Sequence, residues 1–364
     1  MKIGILTYHF ANNYGAALQA YSMQYILSSM GHDVEFVDFC SVVQRSNNSL
    51  IEKNNSISNC FKNIVRLPHY FSRKKRIGSF NSFREKFFVL SKKRFISLNE
   101  MRKFCENEYD AIIVGSDQVW NPRIKDFDEI YFMISDIKIP VYAYAVSLGN
   151  AKEDILLKYK KQILNFKRIS VREEASIEIL KKIDSKINSI GVVDPTLLPN
   201  KIFFENIAKP IKKNKEYIIC YFLGRKNTNI FRRVTKELAN KFDLDIYYIN
   251  ANNGITSYKS GAINSCGPEE FLGYLKNAKF VCTNSFHAVA LSIQFNTPFF
   301  TFETDFKDTR KRDLLKRLNL LDRVVENFDI SHINNYKLRD DINIEENLLK
   351  YQKTSFEFLK EILK

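Results

Sequence analysis

The first 39 residues, MKIGILTYHFANNYGAALQAYSMQYILSSMGHDVEFVDF (residues 1–39), carry the pattern that decides the fold. The apolar stretch Lys2–Tyr8 predicts a buried strand, and apolar side chains at helical spacing predict a helix from Gly15 to Met30. Val34–Phe39 then predicts a second strand. A strand, a turn, a helix and a strand in this order indicate the opening of a parallel α/β sheet.

The turn between the first strand and the helix lies where such sheets place their ligands. Binding sites gather at the carboxyl ends of parallel strands, so Asn12–Gly15 is expected at the edge of a site. This turn has one glycine where the dinucleotide fingerprint needs three. A Rossmann-type nucleotide cofactor is therefore excluded.

A second polar turn follows the predicted strand Ala111–Val114. It contains Ser116, Asp117 and Trp120, the only tryptophan of the chain. Polar residues directly after a buried strand are often functional. The alternative is an Asx turn in which the tryptophan covers the core.

The segment Phe280–Pro298 predicts a buried strand, a polar turn and an apolar helix. Asn284 or Ser285 can cap this helix, and the free N–H groups and dipole of its N-terminus favour an anion. His287 adds a donor in the first turn that can also carry a proton. Phosphate or carboxylate is the expected ligand. The alternative is a histidine that only satisfies hydrogen bonds at a domain seam.

The two halves of the chain share one pattern, which predicts two Rossmann-like α/β/α domains facing each other across a cleft. The first domain is expected over residues 1–208 and the second over 209–343. A C-terminal helix over 344–364 is expected to cross back over the first domain. Arg172 follows the predicted strand Ile169–Val171 and stands at a strand-to-helix junction, the position that His287 has in the other half.

The net charge of +15 is unevenly distributed along the chain. Within a polar insertion at about 41–103, the stretch Arg66–Lys103 has twelve Lys and Arg against two Glu, with phenylalanines interleaved. Such a segment can face an anionic polymer or membrane head groups, although a solvated face with core phenylalanines is the alternative. The chain lacks the signature of a nucleic-acid-binding module, so nucleic acid is not an expected partner.

The composition argues against a membrane-spanning, secreted, disulfide-rich or metal-binding protein. No apolar run reaches the roughly 18 residues that span a bilayer, and no signal-peptide pattern opens the chain, which predicts a cytoplasmic protein. The six cysteines form no C-x-x-C pair, and the five histidines show no paired ligand spacing. Neither a disulfide framework nor a metal site is indicated.

Five motifs together resemble the polysaccharide pyruvyl transferase family over nearly the full chain. They are Asn13–Ala20, Tyr109–Asn121, Ser170–Glu173, Asp194–Leu198 and Thr283–His287. The resemblance implies a fold like that of GT-B glycosyltransferases. It also implies transfer of the enolpyruvyl unit of phosphoenolpyruvate onto sugar hydroxyls as a cyclic ketal, with phosphoenolpyruvate as co-substrate and no cofactor.

The resemblance also assigns roles to residues. Arg172 and His287 fall on the family's donor-contacting arginine and histidine, with Asn284 and Ser285 beside them. His287 is expected to serve as phosphate ligand or acid, and Asp117 as a candidate base or acceptor of a sugar hydroxyl. Residues expected to line the acceptor side or the cleft are Asn13, Tyr14, Gly15, Gln19, Ser116 and Trp120.

One position departs from the family pattern. Many members have Arg-Leu-His in the last motif, whereas this chain has Ser285-Phe-His287, so one donor-binding arginine is missing. Arg310 or Arg312, at the start of the next predicted helix, is the hypothesised replacement.

The acceptor is left open at this stage. A lipid-diphosphate-linked oligosaccharide and a free glycan both fit, and the basic segment is a candidate contact with the inner face of a membrane. Two other functions stay open: a glycosyltransferase that uses a nucleotide sugar, and a non-enzymatic protein that binds an anionic glycan.

Overall fold

The computed structural model describes residues 1–50, 70–224, 228–250, 262–302, 309–325 and 344–364. These residues form two six-stranded sheets in which every pairing is parallel. Helices connect the strands, as parallel pairing requires. The predicted α/β fold with two Rossmann-like domains is confirmed.

The first sheet has the strand order β2-β1-β3-β4-β5-β6. Its strands are β1 Lys2–Leu6, β2 Asp33–Phe36, β3 Ala111–Val114, β4 Val141–Val146, β5 Arg168–Val171 and β6 Ser189–Gly191. The central strand β3 has the sequence AIIV and is buried along its whole length, which is typical of a parallel sheet covered on both faces.

The second sheet has the order β12-β11-β10-β7-β8-β9. Its strands are β7 Tyr217–Phe222, β8 Asp245–Asn250, β9 Ala262–Ile263, β10 Phe280–Thr283, β11 Phe299–Phe302 and β12 Val324–Val325. The sequence pattern missed β6, β9 and β12. Each has only two or three residues, too few for a periodic signal.

The helices of the first domain are α1 Tyr14–Ser29, α2 Val42–Asn48, α3 Tyr70–Phe87, α4 Leu98–Glu108, α5 Ile130–Met133, α6 Glu153–Leu156, α7 Lys160–Asn165, α8 Glu174–Ile183 and α9 Lys201–Ile207. The later helices are α10 Thr228–Phe242, α11 Pro268–Lys276, α12 Phe286–Gln294, α13 Thr309–Arg317 and α14 Ile344–Ile362. Short 3-10 turns occur at Leu157–Tyr159, Pro195–Leu197 and Leu321–Arg323.

Helix α3 of the basic segment packs against the rest of the protein, as the alternative of core phenylalanines predicted for part of this segment. Phe80 and Phe83 are fully buried. Arg76 donates to the backbone oxygens of Asn12 in the first domain and Asn250 in the second. The aromatic rings of this helix are therefore mainly core, and one of its arginines joins the domains. Residues 51–69 of the insertion lie outside the described residues.

Helix α1 is the main contact between the domains. The Tyr14 ring stacks on Phe271 of α11 at 4.3 Å between centroids, and its hydroxyl donates to the Cys266 backbone oxygen at 2.9 Å. The hydrophobic core around α1 continues into the second sheet. The site elements at the carboxyl ends of both sheets are thus held against each other by packed side chains.

The last helix, α14, lies against the first domain. The Ser355 hydroxyl accepts from the Val193 backbone N–H at 3.0 Å, and the Gln352 amide donates to the Leu197 oxygen at 2.5 Å. Phe358 and Leu359 are buried. Within the described ranges, no helix is long and apolar enough to cross a membrane.

Candidate functional site

The N-terminus of α12 is fixed by the polar turn that precedes it. Ser285 is the residue that caps the helix, because its hydroxyl accepts from the Ala288 N–H at 3.4 Å. The Asn284 side chain binds both backbone groups of Leu223 and so ties the end of β10 to the end of β7. Both side chains are buried. Both side chains have structural contacts at a helix start that is suited to an anion, and their expected contact with a donor substrate stays a prediction.

His287 extends from the first turn of α12 toward the first domain. Its Nε2 atom lies 3.5 Å from Asp194 Oδ2, which is close enough for an ion pair but long for a hydrogen bond. Its ring lies against Gly15, where an added Cβ atom would come within 2.2 Å of Nδ1. A glycine in the first turn of α1 is thus what leaves space for the histidine.

Arg172 follows β5 and reaches the same carboxylate from the other side. Its Nη1 donates to Asp194 Oδ2 at 2.8 Å, and its Nη2 lies 3.5 Å from Asp117 Oδ1. The guanidinium lies 4.4 Å above the Phe286 ring, which fixes its plane. The arginine of one domain and the histidine of the other therefore meet at one buried oxygen.

Asp194 organises this meeting point, in the turn after β6. Its Oδ1 accepts from the Thr196 N–H and hydroxyl, and its Oδ2 accepts from the Ser116 hydroxyl at 3.2 Å as well as from Arg172. Burial alone would raise the pKa of Asp194, but His287, Arg172 and the Thr196 N–H together hold the pKa well below its usual range. The carboxylate is ionised at neutral pH and aligns the Arg172 and His287 side chains.

Two further carboxylates border Arg172. Asp117 has a positive φ of 73° and is only partly buried, so its carboxylate is the one at the site that solvent reaches. Glu173 is buried and its Oε1 accepts from the Ser147 hydroxyl, the Gly149 N–H and the Ser176 hydroxyl. Glu173 thereby fixes the backbone next to Arg172, whereas the Asp117 carboxylate stays partly exposed beside it.

Arg172 and His287 both have guanidinium or ring nitrogens that make no hydrogen bond to the residues that the structure describes. Within the described part of the chain, Arg172 Nε, Arg172 Nη2 and His287 Nε2 are buried and have no hydrogen-bond partner. Buried donors without partners are costly, so such atoms indicate a place where a ligand or water completes the network. The donors are of the kind that phosphate and carboxylate oxygens accept from.

Helix α13 brings further charged side chains to this region. Lys311 is buried and donates to the backbone oxygens of Asn284 and Phe302. Arg317 lines a small cavity together with Arg172 and Asp194. The structure places Arg310 and Arg312 on the same helix, and the role expected for either in place of the missing family arginine stays a prediction.

Several residues expected at the acceptor side or the cleft are buried, and their contact with an acceptor stays a prediction. Trp120 is fully buried, stacked on Phe132 at 5.0 Å, and its Nε1 donates to the Tyr131 oxygen. Gln19 is buried and bonds within the first domain. The Trp120 ring covers the core because burial of its large apolar surface lowers the free energy by more than desolvation of its N–H raises it. That N–H keeps a hydrogen bond, to the Tyr131 oxygen.

The other acceptor-side residues have structural contacts at the seam. Asn13 is exposed and caps α1 by accepting from the Ala16 N–H. Tyr14 joins the domains, Gly15 supports His287, and Ser116 binds Asp194. Tyr14, Gly15 and Ser116 thus contact the residues that hold Arg172 and His287 in position or the seam beside them.

The sequence did not reveal the roles of Asp194, Glu173 and Lys311. Asp194 stood inside a recognised motif, and the signal available was its position before a proline in a turn that follows an apolar stretch. Glu173 follows Arg172 at the start of a helix, and the sequence pattern there fits an exposed glutamate as well as a buried one. No local pattern marks Lys311, because its function depends on a contact with Asn284 in another element.

The fold is similar to that of several solved structures. The S. aureus MnaA–UDP co-structure aligns with a TM-score of 0.52 at 11% identity over 95% of this chain and 90% of that one. The UDP-GlcNAc 2-epimerase of Methanocaldococcus jannaschii, in complex with UDP-GlcNAc and UDP, aligns at 0.52 and 14% over 99% and 100%. These are GT-B fold proteins, and at such identities the likeness establishes the fold. No curated protein sequence matches the chain significantly.

The sequence model of one family covers most of the chain. The model described as polysaccharide pyruvyl transferase matches residues 13–306. This match begins in the turn before α1 and continues past β11, so it includes the strand ends of both sheets that carry Arg172 and His287. The chain belongs to the polysaccharide pyruvyl transferase family.

Proposed function

We propose that this transferase moves the enolpyruvyl group of phosphoenolpyruvate onto two hydroxyls of a sugar, forming a pyruvate ketal in the biosynthesis of a capsule, an exopolysaccharide or a cell-wall glycan. The observation that supports the proposal most strongly is the convergence of Arg172 and His287, from opposite domains, on Asp194. Both side chains have donor atoms without a partner among the described residues.

Phosphoenolpyruvate has a phosphate and a carboxylate on one small carbon frame. A receptor for it needs two donor-rich elements at a fixed separation. Arg172 supplies a planar fork, with Nε and Nη2 unused. His287 and the N-terminus of α12 supply the second element. Asp194 fixes their separation because it contacts both.

The reaction balances without an external oxidant or reductant. A proton adds to the enol methylene, which becomes a methyl group and leaves a cationic carbon. One sugar hydroxyl attacks that carbon and loses its proton. The C–O bond to phosphate then breaks, and a second hydroxyl closes the ketal as its proton is released. Overall, two hydroxyl protons end on the methyl group and on the departing phosphate.

The geometry suggests a division of roles between the side chains. We assign His287, in the first turn of α12, the role of binding the phosphate or delivering the proton. Asp117 is the partly exposed carboxylate beside Arg172, and we assign it the role of accepting a hydroxyl proton or orienting the sugar. Both carboxylate oxygens of Asp194 accept hydrogen bonds, and Asp194 keeps Arg172 and His287 aligned.

A nucleotide-sugar-dependent glycosyltransferase is the second candidate. It is favoured by the similar structures, which are complexes with UDP or with UDP-GlcNAc and UDP. A diphosphate at the N-terminus of α12 would use the same donors. Binding measurements separate the two functions, since only one of them needs a site for phosphoenolpyruvate.

The experiment is thermal unfolding of the purified protein with phosphoenolpyruvate, inorganic phosphate or UDP-GlcNAc. A ligand that binds only the folded state stabilises it by RT ln(1 + [L]/Kd), so at equal concentrations the tighter ligand raises the midpoint more. We expect phosphoenolpyruvate to raise the midpoint more than phosphate does, and we expect His287→Ala and Arg172→Lys to remove most of this rise.

Two matched controls lie at the amino ends of strands in the first sheet, away from the carboxyl ends where Arg172 lies. His32→Ala changes a histidine just before β2, and Arg168→Lys changes the first residue of β5, the strand that Arg172 follows. Both should keep the parental response to phosphoenolpyruvate. A response to UDP-GlcNAc alone would refute the phosphoenolpyruvate assignment and favour the glycosyltransferase.

A further inference from the structure

A second polar cavity lies in the first domain, separate from the Arg172 site. Its volume is about 470 Å³, within the range of small-molecule sites. It is lined by the loops that follow β1 and β2 and by helices α2 and α3. The carboxyl ends of parallel strands share one edge, so this cavity opens on the same edge of the sheet as Asp117 and Arg172.

Three arginines from three different elements line this cavity: Arg45 on α2, Arg84 on α3 and Arg94 in the loop after α3. Its carboxylates are Asp38 and Glu85. Asp38 is already occupied, because it accepts from His9 Nε2 at 3.2 Å and from Arg94 Nε at 2.8 Å. Glu85 is exposed to solvent.

Arg84 is the residue whose charge is not balanced. It is half-buried and donates to three neutral oxygens, those of Ala11, Asn12 and Asn81. Among the residues that the structure describes, no carboxylate oxygen lies within 4.0 Å of it. Burial, followed by the charge of Arg94, lowers the pKa of Arg84 to about 10. A partly desolvated guanidinium with only neutral partners favours an incoming anion.

The walls of the cavity are held in place by specific contacts. Helix α2 begins with a capping box between Ser41 and Gln44, and the Gln44 amide also donates to the Asp126 oxygen at 2.7 Å. Asn48 binds the backbone N–H of Asn12 at 2.8 Å. Helix α2, which contains Arg45, is therefore held in place. It contacts the loop at Asn12, and oxygens of Ala11 and Asn12 in that loop also accept from Arg84.

That loop connects the cavity to the reaction site. Asn12 lines the cavity, and three residues later Gly15 supports the ring of His287. A group anchored in the cavity would therefore place the rest of its molecule along the loop that leads to the predicted donor site.

We propose that this cavity binds the phosphate or diphosphate group of the sugar acceptor. The inference rests on the proposed function, since it takes the sugar to be the acceptor of that reaction. The diphosphate can belong to a prenyl carrier or to a nucleotide, because both present the same anionic group to Arg45, Arg84 and Arg94.

The test is calorimetric titration of the full-length protein with inorganic pyrophosphate, in the presence of saturating phosphoenolpyruvate. We expect Arg84→Gln to weaken pyrophosphate binding by about tenfold or more, which corresponds to the loss of one charged hydrogen-bonding group. Lys75→Gln, an exposed change on the same helix, should bind as the parent does. Arg84→Lys keeps the charge and should lie between the two.

Two results would overturn the proposal: parental affinity for pyrophosphate in Arg84→Gln, or loss of that affinity in His287→Ala. If phosphoenolpyruvate does not bind at all, the proposed function is refuted. The pyrophosphate titration of Arg84→Gln still decides whether this cavity binds a diphosphate.

Competition identifies the carrier. Displacement of pyrophosphate by farnesyl diphosphate indicates a prenyl-linked acceptor, and displacement by UDP-GlcNAc indicates a nucleotide-linked one. If neither compound displaces pyrophosphate, the cavity does not hold the acceptor's diphosphate and the proposal fails.

Discussion

Replacing Gly15 by alanine tests whether the position of the His287 ring matters for function. The added Cβ atom would lie 2.2 Å from His287 Nδ1 and 2.4 Å from Cγ, whereas normal contacts are about 3.5 Å, so the ring has to move by about 1.3 Å. A displacement of about 1 Å at a catalytic group lowers turnover by about 100-fold. We therefore expect a loss of that order in Gly15→Ala, although the histidine itself is unchanged.

The effect of this substitution on stability should be small. Alanine in place of glycine within a helix stabilises by up to about 1 kcal/mol, while overpacking a buried contact costs about 1–3 kcal/mol. The two effects partly cancel, so we expect a net loss of about 0–2 kcal/mol in urea unfolding.

Gly78→Ala is the matched control, because Gly78 also lies in a helix and an added Cβ there meets no atom within 4 Å. The assays are the midpoint shift with phosphoenolpyruvate and phosphate release with a glycan acceptor. We expect Gly78→Ala to behave as the parent in both. Parental turnover and ligand response in a folded Gly15→Ala protein would refute the role given to His287.

Three other substitutions test the site and its surroundings. Asp194→Asn leaves Arg172 and His287 without their shared carboxylate, and we expect a loss of about 3–5 kcal/mol at pH 7 in urea unfolding. Because the pKa of Asp194 is lowered in the folded state, its advantage over asparagine should be complete above pH about 4–5 and should decrease as the pH falls further; an equal difference at pH 7 and pH 3 would contradict this. Trp120→Ala should destabilise by about 3–5 kcal/mol, with an unchanged phosphoenolpyruvate affinity of the folded protein, and a selective loss of ligand binding would restore the cleft role. Tyr14→Phe removes the hydroxyl contact between the domains and should cost about 1 kcal/mol in the same unfolding assay, whereas no change would mean that the stacked ring alone holds this contact.

The fold could be predicted from the sequence because most strands are apolar runs joined by amphipathic helices. β3 and β7 are four and six residues long and their pattern is unambiguous. The shortest strands, such as β9, have no periodicity to detect. The break between α6 and α7 also went unseen, because the predicted helix Lys152–Phe166 is divided by a 3-10 turn that its composition does not mark.

The candidate site was only partly predictable. Arg172 and His287 could be named because each follows an apolar strand at a helix start. Their convergence on Asp194 depends on how the two domains pack, which is a property of contacts far apart in the chain. The sequence left two positions open for Trp120, because a tryptophan after a strand can turn toward solvent or toward the core, and the structure shows it in the core.

One contact near the site links the arrangement of the domains to Arg172. The backbone N–H of Glu174, at the start of α8, donates to Asp313 Oδ2 of α13 at 2.9 Å. The Asp313 side chain of the second domain therefore caps the N-terminus of a helix in the first domain. Separating the domains would leave the first turn of α8 uncapped, two residues after Arg172. The packing of the two domains therefore also helps to hold the backbone beside Arg172, whose own side-chain contacts with Asp194 and Asp117 lie within the first domain.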